Sequence, residues 1–275
     1  MSVPACATNA GVPRILAMHD HGGATPEFGA RPSTPWSDAM LQAVDLTKRY
    51  EDGLLALDHL NLTVADGELF CLLGANGAGK TTAINLILNF LEPTEGTALV
   101  DGIDVTQRPL EAKRHVAYVA ENVMLYENFT ARQNLEFFAK LGGKAGVTRE
   151  DCYAALRRVG LQERAFEQRL RVFSKGMRQK LGIAIAIIKE ARNIVLDEPT
   201  AGLDPKAGAE FMALLKTLRS EGRAILMSTH DIFRAKEHAD RVGIMKEGKL
   251  VGVRSHEELG REDLQRLYLE LMEAA

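Results

Sequence analysis

The sequence predicts an α/β protein with a mostly parallel sheet, an N-terminal antiparallel β subdomain and an inserted α-helical lobe. Short apolar strand patterns alternate with helical patterns, as is typical of parallel sheets covered by helices on both faces. The first strands instead alternate apolar and polar residues and end in short turns, which favours antiparallel pairing. A helical stretch over roughly residues 126–190 interrupts the alternation and is predicted to be the inserted lobe.

Composition limits the possible functions. The 275 residues fit one large α/β unit with an insertion, and 46% hydrophobic content supplies a sizeable core. The net charge of -3 lacks the basic excess of nucleic-acid-binding proteins, so no nucleic acid partner is expected. Cys6, Cys71 and Cys152 have no metal-type spacing and are predicted to be reduced thiols, with Cys71 buried.

No segment has the length of a transmembrane helix. The longest apolar run, Leu181 to Ile188, is far shorter than the roughly 20 residues that span a bilayer, and it predicts a buried helix segment. If the protein serves a membrane, another polypeptide must supply the spanning helices.

Residues 1–40 differ from the rest of the chain. They contain five of the nine prolines and show no apolar periodicity, so they cannot bury enough surface to offset the entropy of ordering. We interpret them as a disordered extension, as a mis-annotated segment upstream of a start at Met40, or as a functional arm. His19-Asp20-His21 is the only metal-like cluster there, and without further ligands it does not predict a metal site.

The remaining elements follow from residue patterns. Predicted strands and hairpins are, in order, Leu60 to Val64, Leu69 to Leu73 after a turn at Asp66-Gly67, Gly96 to Val105 turning at Asp101-Gly102, Ile194 to Leu196, Ala224 to Met227, Arg241 to Ile244, and a hairpin turning at Glu247-Gly248. Predicted helices are Ala83 to Phe90, Ala131 to Leu141, Glu150 to Val159 and Glu262 to Met272.

Two features fix helix ends in more detail. Thr148 and Asp151 form a capping-box pattern at the start of the helix Glu150 to Val159. Gly160 is a plausible stop at the end of this helix. In the last helix one apolar face, formed by Leu264, Leu267, Tyr268 and Leu271, is expected to pack on the domain itself.

The strongest functional motif is the segment GANGAGKTT, residues 74–82, which matches the phosphate-loop pattern G-x-x-x-x-G-K-[ST]. It lies between an apolar strand and a helix, so a chance glycine-rich turn is disfavoured and a P-loop NTPase core is predicted. Backbone N–H groups and the helix N-terminus would hold phosphates. Lys80 would reach the β- and γ-phosphates of ATP, and the Thr81 hydroxyl would bind Mg²⁺. The predicted binding residues are Gly74, Asn76, Gly77, Ala78, Gly79, Lys80, Thr81 and Thr82.

A second motif is Ile194 to Pro199, an apolar strand that ends in two carboxylates. Asp197 at the carboxyl end of the strand is predicted to hold Mg²⁺, directly or through water. Glu198 is predicted to act as the general base on the attacking water. Asn193 is polar at a position where the strand pattern favours an apolar residue.

These ordered motifs resemble the ABC ATPase family over roughly residues 41–255. Phe173 to Met177 is similar to the family signature, Ala201 to Asp204 to the D-loop, and Ser228 to Asp231 to the switch-histidine segment. The resemblance implies that His230 contacts the γ-phosphate and that Tyr50 stacks on adenine.

The resemblance also implies a head-to-tail homodimer with two ATP molecules at the interface. Ser174 and Gly176 would bind the nucleotide of the second subunit, because N–H groups preceding a helix that starts around Arg178 form an anion-binding terminus. ATP would favour the closed dimer, and hydrolysis would open it.

The sequence departs from the family pattern at a few positions. Lys175 and Met177 replace a glycine and a glutamine in the signature, a variation that the family tolerates. Glu121, in the segment Tyr118 to Asn122, replaces the usual glutamine. Our hypothesis is that the Glu121 carboxylate keeps the contact with Mg²⁺, although it adds negative charge beside Asp197 and Glu198.

The short segment 256–275 and residues Leu125 to Thr130 resemble ATPases paired with ABC-2-type exporter permeases. We therefore expect an ATP-hydrolysing subunit of an ABC transporter, cytoplasmic and held at the inner face of the membrane by a separate permease. The alternatives are an importer ATPase and a soluble ABC-type switch that acts on a macromolecular partner. The transported substrate is not predicted.

Overall fold

The computed structural model describes residues 39–261 and 263–273. The predictions for Cys6, for His19-Asp20-His21 and for most of residues 1–40 lie outside these residues, as does Glu262. Ala39 and Met40 belong to the first strand, and the carbonyl of Met40 accepts a hydrogen bond from the backbone N–H of Asp101.

Two sheets form the frame. The antiparallel sheet has the order β2-β1-β4-β5 and comprises β1 (Ala39–Arg49), β2 (Leu55–Ala65), β4 (Glu95–Val100) and β5 (Ile103–Asp104). The second sheet has the order β10-β9-β3-β8-β7-β6 and comprises β3 (Leu69–Leu73), β6 (Val116–Val119), β7 (Asn193–Asp197), β8 (Ala224–Thr229), β9 (Arg241–Lys246) and β10 (Lys249–Ser255). All its pairings are parallel except that of β10 with β9. The predicted fold class is confirmed.

The helices of the described residues are α1 (Lys80–Ile87), α2 (Pro109–His115), α3 (Ala131–Leu141), α4 (Arg149–Arg158), α5 (Lys175–Ile188), α6 (Pro205–Ser220), α7 (Ile232–His238), α8 (His256–Arg261) and α9 (Leu264–Glu273). The α3–α5 group is the predicted lobe. None of the helices in residues 39–261 and 263–273 combines the length and apolarity needed to cross a membrane.

Helix caps explain both the accurate and the inaccurate boundaries. The Thr148–Asp151 capping box is present at the start of α4 and confirms that prediction. The prediction that the signature helix starts around Arg178 is wrong, because the Ser174 hydroxyl caps α5 by accepting the N–H of Met177. The predicted last helix, Glu262 to Met272, corresponds to α9, and a further short helix, α8, precedes it.

The residues of β3 show how the core is divided. Leu69, Cys71 and Leu73 belong to the cluster beneath the helical lobe, whereas Phe70 and Leu72 belong to the cluster shared with the antiparallel sheet and α1. Because successive side chains of a strand point to opposite faces, a strand buried on both faces is apolar throughout. β3 therefore lies between the two core clusters, and the phosphate-loop motif starts where it ends.

The burial predictions agree with this arrangement. Cys71 is fully buried, and burial raises the pKa of its thiol. Cys152 is also buried, which raises the pKa of that thiol to about 11. On α9, Leu264 is buried, and Leu267, Tyr268 and Leu271 pack against the core beneath the lobe, as predicted.

Candidate functional site

The loop between β3 and α1 brings its backbone close to neighbouring chain segments. Gly79 has φ = 100°, and a β-carbon there would lie 2.7 Å from the carbonyl oxygen of Ala56. A β-carbon at Gly74 would lie 2.7 Å from the carbonyl oxygen of Met245. Glycine is therefore required at both ends of the loop, which then leads directly into the N-terminus of α1.

Lys80 is the first residue of α1 and its side chain is buried. Its ammonium group donates hydrogen bonds to the carbonyl oxygens of Gly74 (2.6 Å) and Ala75 (3.1 Å). Nζ also lies 3.6 Å from Oε1 of Glu198. The loop thus wraps around a fixed positive charge, as a site for phosphate groups requires.

Asp197, at the end of β7, links two other segments. The hydroxyl of Thr81 donates to Oδ2 of Asp197 (3.1 Å), and the hydroxyl of Ser228 donates to Oδ1 (2.5 Å). Ser228 also accepts the backbone N–H of Glu198 at 3.0 Å. The neighbouring hydroxyl and carboxylate oxygens are hard ligands of the type that Mg²⁺ prefers, so the residues present fit this ion. The positioning role of Ser228 was not predicted from sequence.

Glu198 has a strained backbone, with φ = 46°. Its Oε2 lies 3.0 Å from Nδ1 of His230, a residue whose side chain is 60% exposed. Its Oε1 is buried and makes no hydrogen bond within the protein. The carboxylate is thus held on one side and retains an acceptor on the other, an arrangement that suits the binding of a water molecule.

These groups face a cleft of about 520 Å³. Its walls consist of residues 75–82 together with Tyr50, Leu54, Leu55, Ala56, Glu121, Asp197, Glu198, Glu247 and Gly248. Tyr50 lies on this wall, and the ammonium of Lys48 lies 5.5 Å from its ring centroid. Its stacking on adenine stays a prediction. The sequence predicted the turn at Glu247-Gly248 but did not connect it with the site. Its proximity to the phosphate loop arises from long-range packing of β9 and β10.

Glu121 also faces the cleft, but its carboxylate has a different partner from the one expected. Its Oε1 lies 3.3 Å from Nζ of Lys175 at the start of α5. Within residues 39–261 and 263–273, no three His, Cys, Asp or Glu side chains gather as a metal-binding group. Glu121, Asp197 and Glu198 therefore form no such group in this structure, and the contact of Glu121 with Mg²⁺ stays a prediction.

Ser174 and Gly176 do not line this cleft. Ser174 caps α5, and Gly176 lies beside α6, where a β-carbon would meet that of Ala207 at 3.5 Å. Asp204, in the segment resembling the D-loop, caps α6 by accepting the N–H of Ala207 at 2.9 Å. The phosphate loop before α1 and the signature segment before α5 therefore do not line the same cleft.

Comparison with known proteins relates this chain to one family. The family model described as ABC transporter matches residues 57–201. The chain is 34% identical to the uncharacterized ABC transporter ATP-binding protein YhcH of Bacillus subtilis (strain 168), over 78% of this chain and 70% of that protein. It is 36% identical to the bacitracin transport ATP-binding protein BcrA of Bacillus licheniformis, over 77% of this chain and 68% of that protein. The dimeric post-hydrolysis structure of the ATP-binding cassette MJ0796, bound to ADP and Pi, matches with a TM-score of 0.72 and 27% identity, over 79% of this chain and 99% of that one.

Proposed function

This chain belongs to the ABC transporter family of ATP-binding proteins, and we propose that it powers export through a separate membrane permease. It is an ATP-binding subunit and an ATPase, as the sequence predicted. The proposal of export rests on relatives such as the bacitracin transport protein BcrA. The observation that carries coupling to a permease is that one segment, residues 120–125, runs between the nucleotide cleft and an apolar groove.

The proposed roles in ATP hydrolysis follow the geometry of the cleft. Lys80 and the backbone N–H groups of residues 74–82 bind the phosphates, and Tyr50 stacks on adenine. Asp197 and Thr81 hold Mg²⁺, whose contribution when bound is to neutralise charge on the β- and γ-phosphates. Glu198 accepts a proton from the attacking water, and His230 orients the Glu198 carboxylate and contacts the γ-phosphate.

We further propose that two copies assemble head to tail. The first-turn N–H groups of α5 have no helical acceptors, and together with Ser174 and Gly176 they form a second anion-binding terminus. This terminus lies outside the cleft of its own subunit. A second copy would therefore complete each ATP site. The dimeric structure of the related cassette MJ0796 supports this assembly.

The permease is proposed to bind the apolar groove, which has a volume of about 740 Å³. Ala120 and Asn122 line the groove, whereas Glu121 between them lines the nucleotide cleft. Met124 and Leu141 in the groove are 85% and 71% exposed, which is unusual for large apolar side chains. An apolar cytoplasmic helix of the permease fits this surface, and its binding would keep the ATPase at the inner face of the membrane.

Substitutions in the groove test this proposal. The chain is co-expressed with a candidate permease, a protein of about six hydrophobic segments sought among the neighbouring genes, and the complex is purified in detergent. We expect Met124→Glu and Leu141→Glu to abolish co-purification, because a carboxylate would be buried in an apolar contact. Leu269→Glu, an exposed site on α9 outside the groove, is the matched control. All three variants should keep ATP binding.

The outcome also separates the alternative functions. Co-purification with the permease followed by ATP-dependent efflux from proteoliposomes supports export, whereas uptake in the same assay supports an importer. Recovery of the wild-type chain without any membrane partner would contradict a transporter subunit that acts through this groove and favour a soluble switch.

A further inference from the structure

Lys175 and Glu121, two departures from the family pattern, form an ion pair in the folded chain. Nζ of Lys175 lies 3.3 Å from Oε1 of Glu121, although 54 positions separate the two residues. We propose that Lys175 is a positioning residue: it holds the Glu121 carboxylate and offsets its charge at the nucleotide cleft of the same subunit. The inference deepens the proposed function, because it assumes that Glu121 faces bound ATP.

The contact is part of a two-point attachment between α5 and the segment after β6. Lys175 and Gln179 are four residues apart and therefore project from the same face of α5. The side chain of Gln179 is fully buried, and its Nε2 donates to the carbonyl oxygens of Ala120 (3.1 Å) and Glu121 (2.8 Å). One helical turn thus holds residue 121 by both its backbone and its side chain.

The contact between Lys175 and Glu121 changes the balance of charge at the nucleotide cleft. Asp197, Glu198, Glu121 and Glu247 bring four carboxylates to one cleft, while Lys80 is the only lysine or arginine among its described lining residues. A triphosphate adds further negative charge. Without a second cation, Glu121 would repel the nucleotide, and Lys175 supplies that cation from outside the cleft lining.

Exposure limits the size of the expected effect. The side chains of Lys175 and Glu121 are 31% and 48% exposed, so water and salt screen their interaction. Loss of such a partly exposed pair changes an affinity by about two- to fivefold. The effect should appear mainly in the Kd and KM for ATP, because Lys175 acts through Glu121 and not on the reacting atoms.

The experiment compares Lys175→Met in two backgrounds, the wild-type chain and Glu121→Gln. ATP affinity is measured by calorimetry without magnesium, and kcat and KM are measured with magnesium. In the wild-type background we expect about two- to fivefold weaker ATP binding, a matching rise in KM and a smaller change in kcat. In the Glu121→Gln background the same substitution should have no further effect, because residue 121 no longer carries a carboxylate for Lys175 to hold.

Three further variants make the result specific. Lys175→Arg should retain wild-type affinity, because it keeps the positive charge. Lys175→Gln repeats the test if Lys175→Met fails to fold. Lys180→Met removes a lysine from the same helix that pairs with Glu210 at 2.7 Å, and it should leave ATP affinity unchanged because neither residue lines the cleft.

Equal weakening of ATP binding by Lys175→Met in both backgrounds would overturn the inference, as would no weakening in either. Failure of the wild-type chain to associate with a permease would contradict the proposed function instead. The two failures are distinguishable because ATP affinity is measured on the isolated chain.

Discussion

Nδ1 of His230 lies 3.0 Å from Oε2 of Glu198, and the other oxygen of this carboxylate is buried without a hydrogen bond inside the protein. The histidine thus fixes the orientation of the carboxylate, and the second oxygen, 3.6 Å from Nζ of Lys80, remains able to accept a hydrogen bond. The left-handed backbone of Glu198 is strained, as is often found where a side chain must be aimed at a substrate. Asp197, one residue earlier, is oriented by two hydroxyl donors. The adjacent carboxylates of Asp197 and Glu198 therefore have different hydrogen-bond partners, which suits Asp197 to hold Mg²⁺ and Glu198 to act as the general base.

The first prediction concerns Glu198→Gln. The amide keeps the shape of the side chain but cannot accept a proton from water, so we expect hydrolysis to fall by a factor of about 10² to 10⁴. ATP binding, measured by calorimetry, should change little, and the proportion of dimer in the presence of ATP, measured by light scattering, should rise.

The matched control is Glu247→Gln, a carboxylate in the same cleft wall without a proposed catalytic role. It should retain most of the hydrolysis rate. Near-normal turnover by Glu198→Gln would remove Glu198 from the role of general base.

The second prediction concerns the hydroxyl of Thr81. Thr81→Val removes the only oxygen of this side chain, so the magnesium concentration for half-maximal hydrolysis should rise by about tenfold or more, the factor that corresponds to 1.4 kcal/mol. Thr81→Ser keeps the hydroxyl and should behave like the wild-type protein. Removal of magnesium with EDTA should stop hydrolysis in all three proteins. An unchanged magnesium requirement in Thr81→Val would exclude Thr81 as a ligand.

Local sequence patterns were sufficient for most of the frame. The apolar run Leu69–Leu73, the turn at Asp101-Gly102 and the Thr148–Asp151 capping box each depend on neighbouring residues only, and the structure confirms all three. The phosphate loop lies within one continuous segment, so its placement between a strand and a helix was also predictable.

Long-range contacts were not predictable in the same way. Ion pairing of Glu121 with Lys175 depends on how α5 packs against the segment after β6, and no spacing in the sequence encodes that distance. The bond from Ser228 to Asp197 similarly depends on the pairing of β7 with β8. A serine before a helix fits both a phosphate ligand and a helix cap, and the cap at Ser174 places the start of α5 three residues before the predicted Arg178.

The third prediction concerns pH and the lobe residue Glu167. Hydrogen bonding from the Arg132 guanidinium lowers the pKa of this carboxyl from 4.5 to about 2. Because the folded-state pKa is depressed, the contribution of Glu167 to stability is complete above about pH 4.5 and is lost as pH falls towards 2. The side chain is 39% exposed, so solvent screening limits the contribution to about 0.5 kcal/mol.

Urea unfolding at pH 6 and pH 3 measures this contribution. Glu167→Gln should be less stable than the wild-type protein at pH 6, and the difference should shrink at pH 3. Glu92→Gln, at an exposed position, is the control. A difference of the same size at both pH values would show that the charge of Glu167 is not its cause.

The last prediction concerns Asn193, the polar residue in an otherwise apolar strand. Its side chain is fully buried, and Nδ2 donates to Oδ1 of Asp101 (2.7 Å) and to the carbonyl oxygen of His115 (3.2 Å). The amide thus ties β7 to the β4–β5 turn and to the end of α2. Asn193→Val restores the apolar pattern but removes a donor from two partly buried acceptors, so we expect a loss of about 1–3 kcal/mol in the free energy of unfolding. The control Asn128→Ala, at an exposed site, should change it by less than about 0.5 kcal/mol. A stabilised Asn193→Val protein would mean that apolar packing outweighs these hydrogen bonds.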